Sequence, residues 1–213
     1  MEGLWPSIIL VVVGWLLGVL SPAMIEIIRR QRDYPLLQQS LRADLSELRL
    51  VLALSAINLK CAQGLQDRTL LEWQRNVLAS YSGKSDISRM LEGVNTMLTY
   101  SDSDLTALAG LEAQKGITTG HGLKKFSAPT VSAMIPTLWQ LPRGLQIELL
   151  EINQALSHLN EEVEYAQYYF RLTFENLASA NHSIAKANLT ASYKNIADMA
   201  VRLVKKIERV SHL

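Results

Sequence analysis

From Leu4 to Ile25 the chain runs without a charged residue, LWPSIILVVVGWLLGVLSPAMI, and Arg29, Arg30 and Arg32 follow within a few positions. As a helix rising 1.5 Å per residue the run covers about 33 Å, close to the ~30 Å of a bilayer's hydrocarbon layer, so the pattern predicts one transmembrane helix. The basic cluster stands on its C-terminal side. The positive-inside rule then predicts an N-terminus outside and everything after Tyr34 in the cytoplasm, at the inner (plasma) membrane. The competing reading is a cleaved signal peptide, because Ser21-Pro22-Ala23 looks like a cleavage site; the missing basic n-region and the arginines beyond it argue against this. Only in that secreted case do the sequons at Asn181 and Asn188 become glycosylation candidates, and Leu189 then falls on an apolar seam, a poor place for a glycan.

Beyond the anchor the periodicity is helical throughout. Tyr34-Pro35 is expected to break the first helix and Pro22 to kink it. Pro35 then opens a second helix with Leu41, Leu45, Leu48 and Leu52 in 4-3-4 spacing, continuing to Leu59. Thr69 to Glu72 reads as a capping box for a helix through about Tyr81, ended by Gly83. Helices follow over about Asp86–Tyr100, with Ile87, Leu91, Val94 and Leu98 on one face, and over Asp104–Lys115. Gly116 to Ser127 is a glycine-rich loop. Pro129 and Pro136 bracket a short helical turn, with Trp139 expected to plug the core behind it. After Pro142, Leu145, Leu149, Ile152, Leu156, Leu159, Val163, Ala166 and Phe170 alternate by four and three, and beyond a break near Ala180-Asn181 the alternation resumes at Leu189, Tyr193, Ile196, Ala200, Leu203, Ile207 and Val210. The fold class is therefore all-α: an anchor and basic stop over residues 1–34, a helical region over 35–128, and a long antiparallel, coiled-coil-like hairpin over 129–213.

Charge supports that hairpin. Residues 144–180 hold six acids (Glu148, Glu151, Glu161, Glu162, Glu164 and Glu175) against Arg171, whereas 181–213 hold six bases (Lys186, Lys194, Arg202, Lys205, Lys206 and Arg209) against Asp198 and Glu208. Flanking charges of opposite sign select partner and orientation more than they add stability. The net charge is +1, too small for bulk nucleic-acid binding. Cys61 is the only cysteine, which excludes an intrachain disulfide and reads as a small core residue.

Candidate chemistry is sparse. His121, His158, His182 and His212 are scattered, and no di-metal carboxylate motif, nucleophile elbow or catalytic cysteine signature occurs, so neither an enzyme nor a metal or other cofactor is expected. His158 with Glu161 and Glu162 is the nearest approach to a metal site. The loop GITTGHGLKK lacks the Gly-Lys-Ser/Thr of a P-loop but offers Gly120, Gly122, Lys124 and Lys125 as an anion or nucleotide-like ligand site. Tyr165, Tyr168, Tyr169, Phe170 and Phe174 form an aromatic cluster assigned to the core or hairpin packing, with Phe170 on the seam; the alternative is a binding surface, since the tyrosines cover more of the helix than one seam can bury.

Within the apolar run, Gly14 and Gly18 make a G-x-x-x-G whose small face lets a second helix approach closely. Together with the heptad positions Leu149, Leu156, Val163, Ile196, Leu203 and Ile207 as hairpin or oligomer interface, it predicts a homo-oligomer. One apolar span ending in a basic stop, followed by a helical domain, resembles small uncharacterised bacterial single-span membrane proteins and, in layout, the membrane effectors of anti-phage defence systems. That resemblance implies an oligomer whose cytosolic part senses a ligand or partner and whose helices then disrupt the membrane. Two functions follow as expectations. The first is a non-enzymatic interaction protein anchored in lipid and meeting a cytosolic protein; the second is an oligomeric pore or membrane-disrupting effector.

Overall fold

In the computed structural model, residues 4–115, 123–175 and 178–210 are described, and the side chains of part of the N-terminal helix lie outside that description. All the described regular structure is helical: α1 (Leu4–Ala62), α2 (Arg68–Ala79), α3 (Ser88–Leu98), α4 (Asp102–Lys115), α5 (Pro129–Met134) with a 3-10 stretch over Ile135–Gln140, α6 (Arg143–Leu172) and α7 (Ser179–Val210). The chain divides into two compact units, Met1–Leu41 and Arg42–Leu213, and each is described by itself.

In the first unit, α1 does not stop at Tyr34-Pro35 but continues through both Pro22 and Pro35. Proline removes one backbone donor per position, yet the helix formers around Pro35 keep the rest of the ladder, and Gln38 Nε2 donates to the Tyr34 hydroxyl one turn back at 3.1 Å. The described apolar side chains of the charge-free run are open to solvent, Leu10, Val11, Trp15 and Ile25 among them. Among the described residues, no helix is long and apolar enough to cross a membrane. Most side chains of the charge-free run Leu4–Ile25 lie outside those residues, so the span expected from the sequence rests on the sequence alone.

The second unit is built on the remainder of α1. Leu45, Leu48 and Leu52 of the 4-3-4 stripe are buried along it, Leu52 completely. Leu50 reaches a cluster with Leu71, Leu78, Val94 and Leu105, which joins α2, α3 and α4 to α1. Asp67, rather than the expected Thr69, caps α2: its carboxylate accepts the Leu70 amide at 2.7 Å, two residues upstream of the box read from the sequence. An aspartate at this position satisfies one orphan donor and complements the helix dipole.

Polar side chains fix the turns. Arg68 spreads its guanidinium over Asp102 at 2.8 Å, the Leu98 carbonyl at 2.9 Å and the Tyr100 carbonyl at 2.7 Å, closing the α3–α4 corner. Glu47 accepts from the Tyr81 hydroxyl and, at 3.1 Å, from the Lys84 amide, which organises the α2–α3 turn. Asp44 of α1 accepts the Thr130 amide at 2.8 Å and so caps α5, whose own N-cap residue Ala128 has no side chain able to do it. At Gly64 (φ +71°) α1 ends in a Schellman arrangement, the Leu65 amide donating to the Lys60 carbonyl and the Gly64 amide to that of Cys61, both at 2.9 Å.

The hairpin follows the heptad reading closely. Leu145 through Ala166 at the alternating positions of α6, and Leu189 through Val210 on α7, are buried, whereas Phe170 is half-exposed. Lys206, late in α7, pairs with Glu151, early in α6, so the two helices run antiparallel. The turn comes earlier than the expected Ala180-Asn181, since α6 ends at Leu172 and α7 begins at Ser179. Trp139 is a correction: it is 61% exposed, while Leu138 and Leu141 on either side fill the core. The 3-10 stretch explains this, because its three-residue turn puts 138 and 141 on one side and turns 139 away.

Candidate functional site

The residues singled out from the sequence fall in separate places. Gly120 and Gly122 lie outside the described residues, but the loop's end is well placed against α6. Asn160 brackets Phe126, accepting its amide at 2.8 Å and donating to its carbonyl at 2.9 Å. Gln167 donates to the Leu123 carbonyl at 2.7 Å, and Lys125 pairs with Glu164. Residues 160, 164 and 167 share one face of α6, so the segment from Leu123 to Phe126 is fastened antiparallel along it.

This zipper changes the chemistry of the candidate anion loop. Lys124 and Lys125 border a cavity of about 440 Å³, but Asp44 and Glu47 line its other wall. Lys125 is already neutralised by Glu164. A mixed-charge cavity with one committed lysine has a weak claim on an anion, because the carboxylates repel what the amines attract.

The heptad residues Leu149, Leu156, Val163, Ile196, Leu203 and Ile207 are all buried, each on the α6 or α7 side of the hairpin seam. The flanking charges are shared more widely than the acidic-against-basic pattern suggested. Glu151 meets Lys206 across the hairpin, but Glu164 turns to Lys125, and Asp198 of α7 accepts from Lys60 of α1 at 2.9 Å.

The aromatic cluster is a second correction. Tyr165 and Tyr168 are exposed, and so is Phe174, at 73%. Tyr165 and Tyr168 stand on the side of α6 away from the seam, five turns from Ile147 and Leu150, which are also exposed. Eighteen residues is five full turns at 3.6 residues each, so Tyr165 repeats the orientation of Ile147 and Tyr168 that of Leu150, two directions about 60° apart on one face. The register that turns Val163 and Ala166 inward already turns 165 and 168 outward, so the signal lay in the heptad count itself.

Gly14 and Gly18 are both exposed, and an added Cβ would meet nothing within 4 Å at either. Arg32 is exposed, whereas the side chains of Arg29 and Arg30 lie outside the described residues. His158 Nδ1 stands 3.7 Å from Glu161 on an exposed face, and among the described residues no group of three potential ligands could hold a metal. Cys61 is half-buried and unpaired; burial, reinforced by nearby Glu112, pushes its thiol up to about 11. A thiol so held is protonated and a poor nucleophile at neutral pH.

Sequence reasoning passed over a different cavity, of about 730 Å³, where the end of α1 meets α4 and the α6–α7 turn. Its walls include Leu65, Phe170, Phe174 and Leu189, together with His182, Lys186 and Lys194 from one face of α7. Spacing was the available signal, since 182, 186, 190 and 194 recur every four residues along a single helical face. Comparison with known protein families, with curated proteins and with solved structures returns no match for this chain.

Proposed function

We propose that this protein is a non-enzymatic, single-pass membrane protein that self-associates and works through protein contacts made by its helical domain on the cytoplasmic side. The observation that carries the reading is the outward face of α6, where Ile147, Leu150, Tyr165 and Tyr168 lie exposed opposite a fully buried seam. Exposed tyrosine and aliphatic side chains repeating along one rigid helix have the composition of a recognition surface. The membrane part rests on the charge-free run, the basic residues after it, and the solvent-open Leu10, Val11, Trp15 and Ile25. Self-association is supported by the open approach to Gly14 and Gly18.

Three measurements on the full chain test it. The protein should remain in membranes through carbonate washing, with a reporter fused after Leu213 on the cytoplasmic side. Gly14→Leu with Gly18→Leu should reduce the oligomer mass in detergent while leaving insertion intact, because leucine is at least as apolar as glycine. Tyr165→Ser with Tyr168→Ser should leave the unfolding midpoint within about 0.5 kcal/mol of the parent, as exposed substitutions do, while weakening capture of the cytosolic partner. Release by carbonate defeats the anchor, and unchanged mass in the glycine variant removes the transmembrane contact.

A further inference from the structure

We propose that the cavity between the end of α1, α4 and the α6–α7 turn is a binding site for a single-tailed amphiphilic anion, an apolar body carrying one carboxylate or phosphate head. Its volume, about 730 Å³, is in the range of small-molecule sites. Its apolar lining comes from several elements. Phe170 and Phe174 meet edge to face with ring centroids 5.0 Å apart, and Leu65, Leu189 and Ala113 extend the same surface. Phe174 and Leu65 are exposed, an arrangement that costs hydration free energy unless something apolar covers them.

The polar side of the cavity has one sign. Lys186 and Lys194 line it from α7 beside His182, and no aspartate or glutamate is among the described residues that line it. Among the described residues neither Lys186 nor Lys194 has an ion-pair partner, although α6, packed alongside, is rich in glutamate. His182 Nε2 is 2.9 Å from the Thr173 carbonyl, which orients the ring at the edge of the cavity. A neutral hydrophobe would leave two ammonium groups beside it without compensation, and a purely ionic ligand would leave the phenylalanines bare. An amphiphile with an acidic head satisfies both walls. The candidate loop at Lys124 and Lys125 differs in this respect, because there the carboxylates of Asp44 and Glu47 stand across from the lysines.

The site belongs to the second unit alone, so it stands whether or not Leu4–Ile25 enters a bilayer. The test uses the full chain in an uncharged detergent and a diazirine-bearing dodecanoate as photolabel, with labelled residues located by mass spectrometry. Labelling is expected within 62–65, 170–174 or 186–194. Dodecanoate or dodecyl phosphate should displace the label, and dodecanol at equal concentration should not; the stronger competitor identifies the head as carboxylate or phosphate. Removing both amines with Lys186→Gln and Lys194→Gln should weaken labelling about tenfold, the scale of a lost charge-assisted contact. Both lysines are exposed, so the unfolding midpoint should not move, and Phe174→Ala gives a second variant that removes the apolar wall instead. Equal competition by dodecanol, labelling insensitive to both lysines, or labelling confined to residues 4–25 each overturns the proposal.

Discussion

At Gly64 two separate demands coincide. Its φ of +71° is unfavourable for any residue with a Cβ, and a Cβ placed there would come within 2.9 Å of the Ala113 Cβ. Gly64→Ala therefore meets both backbone strain and a clash with α4, and should destabilise the protein by roughly 1–3 kcal/mol in a urea titration. Cys61, three residues earlier, lends itself to a kinetic measurement. Because burial first and Glu112 second hold its thiol to about 11, it carries about a hundredfold less thiolate at pH 8 than the same thiol in the unfolded chain. Alkylation by iodoacetamide at pH 8 should be slower in the native protein by about tenfold or more, since the greater nucleophilicity of a higher-pKa thiolate recovers part of the loss. The thermodynamic sign follows. Above the ordinary thiol value the unfolded chain releases a proton that the folded chain keeps, so stability falls as the pH rises from there toward 11, and this group contributes no pH dependence below.

The elements differ in how far local sequence decides them. Leu156 and Leu203 are both buried on the hairpin seam, so Leu156→Asp or Leu203→Asp places a carboxylate where no partner stands and should cost about 3–5 kcal/mol in unfolding experiments. Gln154→Asp, on the exposed side of the same helix, should stay within about 0.5 kcal/mol. The hairpin was legible because its apolar period is long, regular and matched on two helices, so the register of α6 and α7 could be counted residue by residue. The continuity of α1 across Tyr34-Pro35 was not, since a proline's local penalty of about 3 kcal/mol can be outweighed by what flanks it, and single-residue rules carry no term for that. Trp139 failed for a related reason. A bulky aromatic is usually an inward residue, but a 3-10 stretch turns by thirds, and Leu138 and Leu141 took the inward positions.

Across the whole molecule, what sequence reading missed is what long-range contacts create. The lysines at 124 and 125 look like an anion site until Glu164, Asp44 and Glu47, distant in sequence, are brought beside them. The cavity at Lys186 and Lys194 looks like a solvated basic stripe until Phe170, Phe174 and Leu65 close one side of it. The same long reach bears on how the chain is made. Lys60 of α1 meets Asp198 of α7 across 138 residues, and Asp44 reaches Thr130 across 86. On a ribosome that order is unfavourable: the buried stripe of α1 emerges well before the helix whose Asp198 pairs with Lys60. Contacts of this separation cannot form until α7 has been made, so nascent chains ending before it display the leucines from Leu45 to Leu59 without their full complement of neighbours. A chain truncated before Ser179 should therefore aggregate or bind an apolar dye where the longer chain does not, because α7 supplies the missing cover.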